Sequence, residues 1–138
     1  MTKQETILPL EVKKLGYQVG NKNLIQDLNF SLVSGKKTVL LGPNGAGKSL
    51  TLRLCHGLLK PTNGSINWGN PVIKNINRIR YHQLMVFQRP VLLRRSVKSN
   101  IEHALKLRRV PLNERKSRAT FALSKSGLEP LENFPARS

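Results

Sequence analysis

Residues 42–49 read Gly42-Pro43-Asn44-Gly45-Ala46-Gly47-Lys48-Ser49 and fill every fixed position of the phosphate-loop pattern G-x-x-x-x-G-K-[ST]. Glycines let a backbone turn tightly and point its N–H groups into one concavity that side chains would otherwise block. Lys48 then reaches the β and γ phosphates of a nucleoside triphosphate, and the Ser49 hydroxyl binds Mg²⁺. The stretch therefore predicts a nucleotide site at the N-terminus of a helix.

The segments on either side of the loop fit this prediction. Thr38-Val39-Leu40-Leu41 is a short, β-prone apolar run that predicts a strand before the loop. Leu50-Thr51-Leu52-Arg53-Leu54-Cys55 continues beyond it without a breaker, so a helix is predicted from about Gly47 to about Leu59. A strand before and a helix after the loop argue against a glycine turn that matches the pattern by chance.

Composition limits the possible classes of protein. The chain has 138 residues, with 24 Lys plus Arg against 7 Asp plus Glu, and a formal net charge of +17 at pH 7. Such a charge indicates either a nucleic-acid or anionic-membrane partner or the absence of an acidic part of a longer protein, and we favour the second explanation. One cysteine, Cys55, allows no internal disulfide and suits a reducing compartment. No apolar run approaches the roughly 18 residues of a membrane span.

The apolar pattern predicts four further strands. These are residues 7–15, 24–33, 65–68 and 84–87. In the second of them Leu28, Phe30 and Leu32 alternate with Asn29, Ser31 and Val33, which predicts one apolar face. A turn is expected at 16–23, and residues 69–83 are expected to be irregular.

Two helices are predicted in the last third of the chain. Ile101, Ala104, Leu105 and Arg108 lie at helical spacing. A second helix is predicted over about Leu112 to Ser126, and Gly127 is typical of a helix C-terminus.

With these features in place, the chain resembles the first half of an ATP-binding cassette (ABC) ATPase over nearly all of its length. The stretches that carry the resemblance, besides the phosphate loop, are Tyr17, Gly57-Leu58, Pro61-Thr62, Gly64, Ile66, Val86-Phe87-Gln88, Ser96-Val97, Asn100-Ile101 and Gly127-Leu128. The resemblance implies an α/β fold of the phosphate-loop NTPase class. A RecA-like core with the ABC antiparallel β subdomain is expected over about 1–90, and an incomplete helical subdomain over about 91–138.

The resemblance also implies roles for individual residues. Tyr17 matches an aromatic that stacks on adenine, and Gln88 matches a glutamine that helps ligate Mg²⁺ and positions the attacking water. Lys48 and Gln88 are the expected catalytic residues, and Ser49 and Gln88 the expected Mg²⁺ ligands. The expected ATP-binding residues are Tyr17, Gly42, Pro43, Asn44, Gly45, Ala46, Gly47, Lys48, Ser49 and Leu50.

Partners and cargo are implied in the same way. Residues 87–97 look most like ATPase subunits of oxyanion importers, the tungstate type in particular. The resemblance implies membrane permease subunits and a second ATPase subunit as partners, without nucleic acid. It also implies a cytoplasmic location, peripheral to the inner face of the cell membrane.

The family's later motifs are not found in these residues. Pro135-Ala136-Arg137-Ser138 stands where the signature sequence, Leu-Ser-Gly-Gly-Gln or Glu, would be about to begin. The acidic motif with its catalytic glutamate and the switch histidine would follow it, and the one aspartate present, Asp27, precedes the loop. The chain is therefore expected to be an N-terminal fragment that binds ATP and Mg²⁺ but does not turn ATP over by itself.

Two alternatives remain open from the sequence. A phosphate-loop kinase or GTPase shares the loop, although Asn21-Lys22-Asn23-Leu24 departs from the guanine motif Asn-Lys-x-Asp. A soluble ABC protein of translation or DNA repair would give residues 74–118, with thirteen Lys or Arg and two Glu, a nucleic-acid partner. Aromatic residues that could stack on bases are scarce there, which favours a solvated face near membrane subunits or lipids. Cys55 is expected to be a small core residue.

Overall fold

The computed structural model describes residues 6–69 and 76–137. The chain divides into two compact units, Met1–Met85 and Val86–Ser138. The first contains β1 (Leu10–Val19), β2 (Lys22–Leu32), α1 (Lys48–Cys55), β3 (Asn63–Trp68) and α2 (Ile76–Tyr81). The second contains α3 (Val97–Leu107), α4 (Leu112–Ser126) and a 3₁₀ turn at Glu129–Leu131. None of the helices in the described parts of the chain is both long and apolar enough to cross a membrane.

A three-stranded antiparallel sheet of order β2-β1-β3 forms the centre of the first unit. β1 pairs along its length with β2, from Leu10 opposite Leu32 to Val19 opposite Lys22. Its other edge pairs with β3, where Leu10 lies opposite Trp68. The predicted alternation in β2 is confirmed, because Leu28, Phe30 and Leu32 pack against the core while the residues between them are exposed.

β1 is shifted from its predicted position, and the turn predicted at 16–23 is wrong. The strand continues through Gly16 and Tyr17 to Val19, because β2 supplies backbone partners as far as Lys22. A tight turn at Gly20-Asn21 connects the two strands. A bulge bends β1 at Lys14, whose N–H donates to Asn29 Oδ1 at 2.7 Å. Tyr17 therefore lies within a strand rather than in a turn.

The core of the first unit lies between the sheet and α1. Leu10, Val12 and Leu15 of β1 are buried against Leu54 of α1. Cys55 packs against this cluster, and burial raises the pKa of its thiol from 9.0 to about 11, with a backbone hydrogen bond acting in the opposite direction. The interpretation of Cys55 as a core residue is confirmed.

α1 ends four residues before the predicted Leu59. Gly57 adopts φ 76°, and the N–H groups of Gly57 and Leu58 donate to the carbonyls of Leu54 and Arg53, both at 2.9 Å. This pair of bonds is the Schellman motif, which closes a helix through a residue in the left-handed conformation. Glycine adopts that conformation without steric cost, so the helix ends before Gly57 and does not continue to Leu59.

The strands predicted at 38–41 and 84–87 are wrong. Neither segment forms part of a strand, and most of their side chains are exposed, with Leu41 83% and Leu84 88% exposed. A strand exists only when a neighbour satisfies its backbone N–H and C=O groups, and the sheet of this structure does not include these residues. The irregular stretch predicted at 69–83 is also wrong in part, since α2 occupies 76–81. Residues 70–75 lie outside the described part of the chain.

The second unit contains the two helices that the sequence predicts, and α3 begins at Val97 and ends at Leu107, one residue before Arg108. The Ser96 side chain accepts a hydrogen bond from Ser99 N–H at 3.2 Å, which caps α3. Asn100 joins the preceding loop to α3, donating from Nδ2 to the carbonyls of Leu93, Arg95 and Ser96. The bounds predicted for α4 and its end at Gly127 are confirmed.

Candidate nucleotide-binding site

The phosphate loop curls back onto the lysine that it precedes. Lys48 Nζ donates to the carbonyl oxygens of Gly42 and Pro43, both at 2.7 Å. Ala46 N–H donates to the Pro43 carbonyl at 3.2 Å, which tightens the same turn. The cation of Lys48 is thereby held in the bend of the loop, although the loop itself is largely exposed.

Gly47 connects the loop to α1 in a conformation that a side chain would strain. Its φ is 82°, and a Cβ placed there would lie 3.3 Å from the carbonyl oxygen of Leu24 and 3.4 Å from Ile25 Cγ1. Thr51, buried one turn later, donates through its N–H at 2.8 Å and its hydroxyl at 3.0 Å to the Gly47 carbonyl. β2 and the first turn of α1 therefore fix the position at which the loop enters the helix.

The groups collected here fit a chain of phosphates. The first N–H groups of a helix have no acceptor within the helix, and they carry its positive partial charge. Lys48 adds a full charge at the same point, and the first turn of α1 contains no acidic residue to oppose an anion. Ser49 is exposed in that turn and offers a hydroxyl of the kind that hard cations such as Mg²⁺ accept as a ligand.

Tyr17 is connected to the phosphate loop by Ile25, its neighbour on the adjacent strand. It pairs with Ile25, the residue that approaches Gly47. Both side chains pack against the core of the first unit, and both line a cavity of about 230 Å³. An aromatic face supported by the sheet thus lies one strand away from the phosphate loop.

Gln88 lies in a different compact unit from the loop. It is exposed in a bend after residues 84–87, at the start of the second unit. Its predicted part in holding Mg²⁺ and water stays a prediction. The roles of Lys48, Ser49, Leu50, Tyr17 and the loop residues in binding nucleotide also stay predictions, which the geometry of the first unit supports.

Two contributors to the site were missed from the sequence. Thr51 holds the Gly47 carbonyl, and Ile25 supports both Gly47 and Tyr17. A threonine inside the apolar run Leu50-Thr51-Leu52 was a detectable signal, because a buried hydroxyl needs a hydrogen-bond partner. Ile25 carried no such signal, since its contact depends on how the sheet and the helix pack.

Comparison with known proteins agrees with this geometry. Residues 25–138 match the ABC transporter family. An Fe(3+) ions import ATP-binding protein of Pectobacterium atrosepticum is 35% identical over 125 residues, which cover 90% of this chain and 36% of the relative. A methionine import ATP-binding protein of Bacillus subtilis is 34% identical over 125 residues, covering 86% of this chain and 37% of the relative.

A solved structure gives the same result for the fold. The ATP binding subunit of an ABC transporter superposes with a TM-score of 0.77 at 28% identity, covering 95% of this chain and 56% of its own. The chain thus spans little more than a third of the length of the two curated relatives and about half of the solved one. A loop, helix and antiparallel sheet in this arrangement, together with a family match over 25–138, distinguish the chain from phosphate-loop kinases and GTPases: it belongs to the ABC transporter family of ATPases.

Proposed function

We propose that this chain is the nucleotide-binding part of a subunit that couples ATP binding and hydrolysis to the transport of a solute across a membrane. The observation that carries the proposal is the position of Lys48, whose Nζ lies 2.7 Å from two loop carbonyls at the N-terminus of α1. A cation and several helix N–H groups directed at one point suit the phosphates of ATP.

Each residue of the site has a distinct part in this proposal. Lys48 exchanges its loop carbonyls for phosphate oxygens, which form shorter and stronger charge-assisted hydrogen bonds. Ser49 and Gln88 hold Mg²⁺, which when bound neutralises charge on the β and γ phosphates. Gln88 also orients the attacking water, and Tyr17 stacks on adenine. The pairing of Tyr17 with Ile25, whose side chain approaches Gly47, supports the place given to the base.

The partners proposed are permease subunits in the membrane and a second ATPase subunit that closes over ATP. The two curated relatives are import ATP-binding proteins, which supports a role beside membrane permeases. We place the chain in the cytoplasm, at the inner face of the cell membrane.

An oxyanion such as tungstate is the cargo that we propose. The proposal depends on residues 87–97 alone, because permease and binding subunits choose the solute. The two curated relatives import Fe(3+) ions and methionine, so related ATPases serve different cargoes. Uptake of radiolabelled tungstate and of methionine, compared in cells with and without the gene, tests this choice. A defect in methionine uptake alone would contradict it.

The proposed function is tested by removing the charge of Lys48. Lys48→Ala is expected to weaken binding of a fluorescent ATP analogue at least tenfold in the presence of Mg²⁺. Lys60→Ala is the matched control, because it removes the same charge from an exposed position just beyond the C-terminal end of α1. Equal affinities of the two variants would contradict a nucleotide site at the loop.

Phosphate release in the same samples tests the catalytic part of the proposal. Residues 1–138 are expected to release phosphate no faster than their Lys48→Ala variant, because no carboxylate follows the loop before Glu102 to orient water. A version continued through the signature sequence and the catalytic glutamate is expected to be active. Lys48-dependent turnover by residues 1–138 alone would overturn this part.

The net charge of +17 favours one second candidate, an ABC ATPase that acts on nucleic acid or ribosomes. The affinity for RNA or DNA would then fall as salt is added, but measurable binding would remain at physiological salt. We expect no such persistent binding, and a filter-binding titration at two salt concentrations distinguishes the two functions.

A further inference from the structure

A large basic cavity lies in the second unit, between α3 and α4. Its volume is about 740 Å³. Its lining includes four cationic side chains, one hydroxyl and one carboxylate, beside His103 and Leu112; the six are Arg95, Lys106, Arg115, Lys116, Ser99 and Glu102. None of them belongs to the proposed ATP site.

Helical spacing brings these side chains to one place. Ser99, Glu102 and Lys106 are three, four and seven positions apart, so they share one face of α3. Arg115 and Lys116 lie together on α4, in the turn after its first residues. Arg95 completes the wall from the loop that precedes α3.

The walls of the cavity are held in place by hydrogen bonds. Arg115 Nε donates to the Val110 carbonyl at 2.7 Å, which ties a guanidinium of α4 to the turn between the helices. Val110 N–H in turn donates to the Leu105 carbonyl at 3.0 Å. The backbone of Arg95 is fixed on both sides, by its N–H bond to Leu93 and by the bonds that its carbonyl accepts from Asn100 and Ala136. One of the four cationic side chains, that of Arg115, is therefore held by a hydrogen bond, and the backbone that carries Arg95 is fixed, while Arg95, Lys106 and Lys116 expose their side chains at the cavity.

The protein neutralises only part of the positive charge in the cavity. Among the described residues, the ion pairs Lys13–Glu11, Lys98–Glu132 and Arg118–Glu114 involve none of the four cations of the cavity. Glu102 is the one carboxylate in the wall. Four like charges around one concavity repel each other, and an anion bound among them relieves that repulsion.

We propose that this cavity binds an anion that carries several phosphate groups. Arginine binds phosphate through two parallel N–H bonds and lysine through a point charge, and the cavity supplies two of each. Its volume lies within the range of roughly 300–1,000 Å³ that is typical of small-molecule sites and far exceeds the need of one phosphate. A soluble polyphosphate compound and a multiply phosphorylated lipid headgroup share this chemistry.

Inorganic tripolyphosphate is the probe for a soluble ligand. All proteins carry Lys48→Ala, so that the phosphate loop does not contribute and failure of the ATP site leaves this test intact. In that background the double variant Arg115→Gln, Lys116→Gln is expected to bind tripolyphosphate at least tenfold more weakly at 150 mM salt. The matched control Arg118→Gln, Lys125→Gln removes two charges from α4 outside the cavity and is expected to change the affinity less than twofold.

Vesicles distinguish the two sources of phosphate. Phosphatidylcholine vesicles with and without 5% phosphatidylinositol bisphosphate are sedimented with the same three proteins: the Lys48→Ala background, the cavity variant and the control variant. Binding of tripolyphosphate that depends on the cavity residues identifies a soluble ligand, and binding of phosphoinositide vesicles alone with that dependence identifies a headgroup. Equal losses in the cavity and control variants, or no binding of either probe, would overturn the proposal, because the net charge alone would then account for any attraction.

Lysine acylation provides a second readout that needs no substitution in the cavity. Bound phosphates are expected to slow acylation of Lys106 and Lys116 severalfold and to leave Lys125 unchanged, as measured by mass spectrometry. Uniform protection of all three lysines, or none, would contradict a defined site even if a cavity variant fails to fold.

Discussion

The strands of the antiparallel sheet and the two segments at 38–41 and 84–87 are all rich in apolar residues, but only the strands of the sheet are buried and paired. In the sheet, Leu10 and Leu15 are completely buried and each strand has a partner. In the apolar segments, Leu41 and Leu84 are more than four-fifths exposed and no strand forms. Antiparallel strands can be joined by a tight turn, as β1 and β2 are at Gly20-Asn21, whereas parallel strands require a crossover to bring them together. Apolar character predicts burial, but a partner within reach decides whether a strand forms.

The largest expected effect on stability comes from shortening a buried side chain of the sheet. Leu15→Ala is expected to lower the free energy of unfolding by about 2–5 kcal/mol, because it leaves a cavity in a closed core. Leu41→Ala is the matched control and should change it by less than about 0.5 kcal/mol. Both values are measured by urea denaturation of dilute protein that also carries Leu84→Glu and Val86→Glu, two exposed positions whose substitution limits aggregation. Unfolding is followed by the fluorescence of Trp68, which packs on that core. Equal decreases in the free energy of unfolding for Leu15→Ala and Leu41→Ala would show that the two regions do not differ in packing.

Cys55 offers a chemical measure of the same packing. Burial raises the pKa of its thiol from 9.0 to about 11, so the thiolate at pH 8 is expected to be about 100-fold scarcer than in the unfolded chain. Alkylation by iodoacetamide should slow by that factor on folding. Because the pKa of the thiol is raised on folding, its contribution to the free energy of unfolding is complete below pH 9.0, the pKa in the unfolded chain. That contribution is lost as the pH rises from 9.0 to about 11, the pKa in the folded protein. Unchanged alkylation between native and urea-treated protein would contradict the burial.

The tendency of the chain to self-associate tests the exposed apolar segments. Exposed apolar segments such as 84–87 are expected to make residues 1–138 aggregate and melt without a sharp transition. The pair Leu84→Glu, Val86→Glu should raise the solubility of this chain severalfold while leaving its circular dichroism unchanged, since neither side chain is buried. The control pair Glu11→Gln, Lys13→Gln alters exposed charges of β1 and should have little effect. A cooperative, concentration-independent melt of the unaltered chain would refute the expectation.

Substitution of Tyr17 has the smallest expected effect and tests whether a side chain of the sheet contributes to ATP binding. Tyr17→Ala is expected to weaken ATP binding by about 0.5–1.5 kcal/mol, whereas Tyr17→Phe and Tyr17→Trp retain a π face and should bind normally. Titrations are best made in a version continued beyond residue 138, where stability does not limit the measurement. If the Ala and Trp variants bind equally, Tyr17 only packs.

Local patterns in the sequence were sufficient for much of the fold. The alternation at Leu28, Phe30 and Leu32 and the stop at Gly127 depend on neighbours a few positions away, so both predictions are confirmed. The strand at 84–87 was wrong because its formation depends on partners that an apolar run does not specify. The Asn100 bonds to three carbonyls also depend on the path of a loop, which spacing alone does not reveal. In the site, Lys48 and Ser49 followed from a motif, whereas the support from Ile25 came only with packing.

The strand order β2-β1-β3 has a consequence for the order of folding. β1 and β2 are neighbours in sequence, so their hairpin can form quickly at small cost in loop entropy. β3 joins β1 only after the phosphate loop and α1 have been enclosed between Leu32 and Asn63, which makes it the slower, non-local step. Pairing of Leu10 with Trp68 therefore closes the stretch of chain that contains the nucleotide-binding segment. The loop should consequently acquire its final shape late, so that weakening β3 would delay the appearance of ATP-binding competence more than the appearance of the hairpin.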